Sequence, residues 1–223
     1  MDMTTPPLAP ESAANKALSG EVFGALINLS GRRRFLSQRI VLYALLASQG
    51  QEDAAAIAQE ALAVFRGANK SLLAEKDGLP GVFCSELREA YFGKLDGDRQ
   101  ITAFADLGER TLKSIALGSP QTPELLAELV RITTPTLAIL NTITSIYEEQ
   151  AKKHARMVRK QLRGVITDID TINRQARMVA FNARIVAARA GHAGKEFSVV
   201  AGVLSNITGE IDEMVNAALA AAG

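Results

Sequence analysis

The chain has 223 residues, with 25 Lys and Arg against 24 Asp and Glu, 48% hydrophobic residues, 5% aromatic residues and no Trp. That length suits one or two domains, and the shortage of aromatic and alternating segments argues against a sandwich or barrel, so an all-α protein is expected. Charge is balanced overall but not locally: residues 151–195 carry 11 Lys and Arg against Asp168 and Asp170, while residues 51–150 hold 15 acids and 9 bases. So basic a stretch needs an acidic partner, a nucleic acid or neighbouring acidic helices to face it.

No apolar run approaches the length needed to cross a bilayer; the best, Ile40 to Ser48, is far too short. The first 15 residues have neither a cationic start nor an apolar centre, so they do not read as a secretory signal, and a cytoplasmic location is expected. Cys84 has no second cysteine to pair with, and with only His154 and His192 it makes a poor metal set. It reads as a buried structural thiol, and both histidines as surface residues. No cofactor, metal or catalytic residue is expected: there is no glycine-rich phosphate loop, no metal-ligand helix pair and no nucleophile with its base.

Turn signals at Gly50, Asp77 to Gly81, Gly93 to Asp98, Gly118 to Pro123 and Gly191 to Gly194 divide the chain into helices. These are read at 10–48, 52–76, 83–117 with an interruption near Gly93 and Gly97, 122–190 and 196–220. Pro135 lies inside the fourth segment, where a missing amide donor and a clash with the preceding turn predict a kink or break. Comparable lengths and short connections suit an antiparallel four-helix bundle continuing into a long helix and a short coiled-coil hairpin. The expected domains are 1–145 for the bundle and 146–223 for the hairpin.

In the first helix two stripes run side by side. Val22, Leu26, Leu29, Arg33, Leu36, Ile40, Tyr43 and Ala47 form one; Ile27, Ser30, Arg34, Ser37, Val41, Ala44 and Ser48 form the other. Each sets an arginine in an apolar or small-residue face, a costly arrangement unless an anion or hydrogen-bonding group meets the charge. Ser30, Gly31 and Ser37 leave space around Arg34, and a guanidinium fork suits a planar oxyanion. Arg34, with Ser30, Gly31, Ser37 and Arg33, is the candidate ligand set.

The run Ile27-Asn28-Leu29-Ser30-Gly31-Arg32-Arg33-Arg34-Phe35-Leu36-Ser37-Gln38-Arg39 resembles the opening motif of the type IV pilus chemotaxis transducer N-terminal domain. More distantly it is similar to the nitrate-binding helix of bacterial nitrate/nitrite sensor kinases. The resemblance maps Arg34 onto the ligand-binding arginine, with Phe35 in place of methionine, and implies sensing of a small oxyanion such as nitrate or nitrite.

In the second half, alternating spacings of four and three put Ala151, Ala155, Val158, Leu162, Val165, Ile169, Ile172, Ala176, Val179, Ala183, Val186 and Ala190 on one seam. After the Gly191 to Gly194 turn the spacing returns in Phe197, Val200, Leu204, Ile207, Ile211, Met214, Ala218 and Ala221. The two seams are expected to face one another. The returning arm is shorter than the outgoing one, so the uncovered seam predicts a homodimer.

Ala187-Ala188-Arg189-Ala190-Gly191 and Phe197-Ser198-Val199-Val200-Ala201, flanking the glycine-bounded turn, resemble the signalling tip of bacterial methyl-accepting chemotaxis proteins. The resemblance covers about 165–212 and implies a dimerised antiparallel hairpin contacting a histidine kinase and its coupling adaptor. Arg189, Phe197, Val199 and Val200 would lie at that contact end. The chain departs from the family pattern at Arg174, Arg177, Val186 and His192.

The expected function is a chemoreceptor-like signalling protein that senses a small cytoplasmic anion and signals through its hairpin. The alternative is a non-sensing structural or interaction protein that uses the hairpin for dimerisation and partner binding. Neither involves a nucleic acid, since no recognised motif and little aromatic stacking surface accompany the basic stretch.

Overall fold

The computed structural model describes residues 18–221. It is all-α, with six α-helices, one 3₁₀ turn and a two-stranded ribbon among those residues. Two compact units divide after Lys152, where the sequence placed the boundary after 145.

In the first unit, α1 (Gly20–Ser48) begins at Ser19, whose hydroxyl accepts from the Val22 amide and so satisfies one of the free donors of the first turn. The helix therefore starts at Gly20; the expected residues 10–17 lie outside the described ones. α2 (Ala54–Leu73) follows the turn at Gly50, whose φ of 81° is open to glycine at no steric cost. Next come β1 (Glu75–Lys76) and β2 (Leu79–Pro80), paired antiparallel across Asp77-Gly78. Both turn residues have positive φ, 54° and 79°, the combination that two-residue hairpins of this hand require. Two-residue strands carry no alternating pattern, so only the turn was legible in advance.

α3 (Ser85–Phe92) and α4 (Gly97–Ala116) bear out the interruption expected near Gly93 and Gly97. Gly97 is required by packing, because a Cβ there would press on the Ala90 carbonyl at 2.6 Å. α5 (Thr122–Arg189) contains Pro135 yet is not broken by it. Pro135 is exposed, and Thr133 and Thr136, on either side of it, donate their hydroxyls to the preceding carbonyls of Leu129 and Ile132. The core of this unit is aliphatic with a few rings: Leu26 and Ile40 of α1, Phe65 and Leu72 of α2, Leu87 and Tyr91 of α3, Ile101 and Phe104 of α4, and Leu129, Leu140, Ile143 and Tyr147 of α5.

The second unit consists of the later part of α5, the 3₁₀ turn Gly191–Gly194 and α6 (Lys195–Ala221). Its buried residues recur every seven positions: Ile166, Asn173, Ala180 and Ala187 on α5, Gly194 in the turn, and Ala201, Thr208 and Val215 on α6. This corrects the expected facing of the apolar seams. Val165, Ile172, Val179 and Val186 are 56–64% exposed, and Phe197, Val200 and Met214 are 54–63% exposed. The arms meet instead along the adjacent heptad position, where small and polar residues pack, and the aliphatic seam is left uncovered within the chain.

Candidate functional site

Both arginine-bearing stripes of α1 point inward, with opposite consequences for the two arginines. Arg33 is fully buried, and no carboxylate among the described residues bonds it. Its Nη1 donates to Asn69 Oδ1 of α2 at 2.5 Å, and its Nη2 donates to Tyr91 Oη of α3 at 3.0 Å and to Ser30 Oγ at 3.2 Å. Thr144 Oγ1 donates to the Leu140 carbonyl, so Ser30, 2.8 Å away, passes its proton toward Thr144. The polarity thus runs from Arg33 through Ser30 and Thr144 into the backbone of α5, joining four helices at one cation.

Two buried polar atoms beside this network lack partners: Arg33 Nε and the Tyr147 hydroxyl. Burial, and then Tyr91, push the Tyr147 phenol well above its ordinary range and keep it neutral. The counter-charge to Arg33 is indirect. Asn69, having accepted from Arg33, also lies near the Asp98 carboxyl on α4, where it favours the charged form against the burial that raises its pKa.

Arg34 is only half-buried, and its Nη1 donates to Asn141 Oδ1 of α5 at 3.2 Å. Gly31 leaves moderate space beside it: a Cβ there would sit 3.5 Å from Arg34 Nη2, an ordinary contact. Ser37 is buried and donates its hydroxyl to the Arg34 carbonyl. Of the five residues expected to hold a ligand, Ser30, Arg33 and Ser37 are therefore spent on internal hydrogen bonds, while Arg34 and Gly31 remain near the surface. Sequence reasoning missed Asn69, Tyr91, Asn141 and Thr144. The available signal was a lone polar residue in an apolar stripe, as at Asn69 between Phe65, Ala68 and Leu72.

Cys84 is half-buried rather than buried. Burial pushes its thiol up to about 11, which leaves it unreactive at neutral pH.

Around the turn of the second unit, Arg189, Phe197, Val199 and Val200 are all exposed, Phe197 at 54%. The turn that positions them depends on two glycines. Gly191 has φ 57°, and a Cβ at buried Gly194 would collide with the Ala187 carbonyl. Deeper in the hairpin, Asn173 donates to the Thr208 carbonyl at 2.8 Å and also to Asp212, which Arg177 engages in turn. These contacts fix the register of α6 on α5.

The heptad pattern, the glycine turn and the exposed tip come together in one comparison. Residues 133–218 match the family model of the methyl-accepting chemotaxis protein (MCP) signalling domain. The match supports chemotaxis-type signal transduction for this region, and domains of this kind typically dimerise and interact with chemotaxis kinase adaptors. No curated protein and no solved structure matches the chain. No helix among the described residues is long and apolar enough to cross a membrane.

Proposed function

We propose that the chain is a cytoplasmic, non-enzymatic chemoreceptor-like protein that works as a homodimer. In this reading the first unit is a four-helix sensor bundle, and the hairpin tip at Arg189, Phe197, Val199 and Val200 engages a chemotaxis histidine kinase through its coupling adaptor. The observation that carries the reading is the aliphatic seam within the matched region, exposed from Val165 to Val186 on one arm and from Phe197 to Met214 on the other. Such a surface is stable in water when a second copy covers it. Ligand occupancy would then bias two packings of the dimer.

The proposed ligand is a small oxyanion, nitrate or nitrite, met by Arg34 beside Gly31. Support comes from the half-buried guanidinium, which makes one long hydrogen bond to Asn141 and keeps donors for a planar acceptor. The internal use of Ser30, Arg33 and Ser37 favours the second reading, in which the hairpin binds a partner and no anion is sensed. Thermal denaturation with nitrate and nitrite separates the two. A melting temperature that rises with anion concentration in the wild type and not in Arg34→Ala supports sensing; no shift with either anion favours the partner-binding protein. Co-purification with the adaptor, lost in Arg189→Glu, tests the tip.

A further inference from the structure

Between α2 and α4 the first unit holds a cavity of about 430 Å³, separate from Arg34, whose walls include Phe65, Leu73 and Ile101. That volume and an apolar lining with a few converging polar groups are what small-molecule sites have. Its charged groups are distinctive. Asp98 from α4 and Lys70 from α2 both line it, and neither forms an ion pair among the described residues, with each other or with anything else. Arg66, also at the wall, is already held by Asp106 and Glu109 at 2.8 Å each. Asp98 lies in the first turn of α4, where a helix favours a negative charge, yet burial dominates and raises its pKa. It is a half-buried carboxylate with no cation paired to it.

We infer that this cavity binds an apolar α-amino acid, its ammonium on Asp98, its carboxylate on Lys70 and its side chain over the accessible apolar wall at Leu73 and Ala74. Opposite lone charges at one largely apolar cavity suit a zwitterion, since half-buried Asp98 and exposed Lys70 each gain a partner and no net charge is added. Asn69 makes the site consequential. It lines the cavity beside Asp98, whose pKa it lowers, and accepts from Arg33, so occupancy bears on the buried cation of α1. The site is independent of the oxyanion contact proposed for Arg34.

Isothermal titration of the full chain with leucine, isoleucine, valine, methionine and phenylalanine tests this. Saturable binding of at least one is expected, at one site per chain. For leucine, removing the ammonium (4-methylpentanoate) or the carboxylate (3-methylbutylamine) weakens binding about tenfold or more. Asp98→Asn and Lys70→Gln each weaken the bound amino acid by a similar factor. Lys70 is exposed, so its variant keeps the wild-type melting temperature and the result does not hinge on folding. Arg34→Ala leaves the affinity unchanged, which separates this site from the oxyanion reading. No saturable binding by any of the five, equal binding by a single-charge analogue, or unchanged affinity in Lys70→Gln overturns the inference.

Discussion

Arg33 reaches Tyr91 in two ways: its Nη2 donates to the phenolic oxygen at 3.0 Å, and its guanidinium carbon lies 5.8 Å from the centre of the same ring. Together with Asn69 and with Ser30, which carries the network on to Thr144, this makes a desolvated cation the meeting point of four helices. A buried charge is weak evidence for stability in itself, but removing one partner of a satisfied group is costly. Arg33→Ala would leave a cavity and strand the Asn69 oxygen, so a loss of about 3 kcal/mol or more is expected in urea unfolding. Arg33→Met, which fills the space without the charge, is expected to lose less. Equal losses would show that volume is irrelevant to the site.

Tyr147 gives the opposite sign. Its ring is fully buried against Phe83 at 6.3 Å between centroids, while its hydroxyl has no hydrogen-bond partner in good geometry. A buried hydroxyl without a partner is a cost that phenylalanine removes while keeping the ring. Tyr147→Phe is therefore expected to be neutral or to stabilise by up to about 1 kcal/mol, a rise of roughly 2–4 °C in melting temperature for a chain of this size. A fall of similar size would mean that the hydroxyl completes a bond to Tyr91.

The thiol of Cys84, raised to about 11 mainly by burial, sets a pH dependence. At pH 8 its thiolate fraction is roughly a hundredfold below that of an ordinary cysteine, and iodoacetamide should alkylate it more slowly by about that factor. The folded thiol holds its proton more tightly than the unfolded one. Its contribution is therefore complete below about pH 9, the unfolded value, and declines as pH rises toward about 11. Alkylation as fast as that of a free thiol would place Cys84 outside its apolar surroundings.

The helices were legible because their ends are chemically marked: Gly50, Gly118 and Gly191 all take positive φ where the sequence predicted turns. The facing of the hairpin was not. Ranking stripes by aliphatic bulk selected Val165, Ile172 and Val179, whereas the arms bury Asn173, Ala180, Ala187, Ala201 and Thr208. Small side chains let two helices share a seam without being the most apolar choice, and bulk alone cannot tell an internal face from one meant for another molecule. For the same reason Arg33 and Arg34 looked alike in sequence. One helical step decides which meets Asn69 and Tyr91 and which meets Asn141, and those partners are 36, 58 and 107 residues away.

Asn173 is the polar residue of the buried stripe on α5, held by the Thr208 carbonyl and Asp212. Buried polar residues at such positions fix register at some expense of stability. Asn173→Leu is expected to keep or raise the melting temperature while broadening the amide resonances of α6, as alternative registers become accessible. Sharp, single resonances in that variant would assign register to Arg177 and the turn instead.

The uncovered seam gives the most direct test of assembly. Ile172 and Val179 are 64% and 61% exposed, while the residues that follow them, Asn173 and Ala180, are buried in the hairpin, so the two aliphatic side chains contribute little to the intrachain packing. Substituting both with glutamate places like charges where two copies would meet, and like charges brought together at an interface cost several kcal/mol. In sedimentation equilibrium the wild type is expected to run as a dimer and Ile172→Glu/Val179→Glu as a monomer, with helical content by circular dichroism nearly unchanged. A wild type that stays monomeric at high concentration, or a double variant that still dimerises, would remove the aliphatic seam as the dimer contact. A double variant that loses its helices would instead return these residues to the interior of the hairpin, against the exposure seen for both.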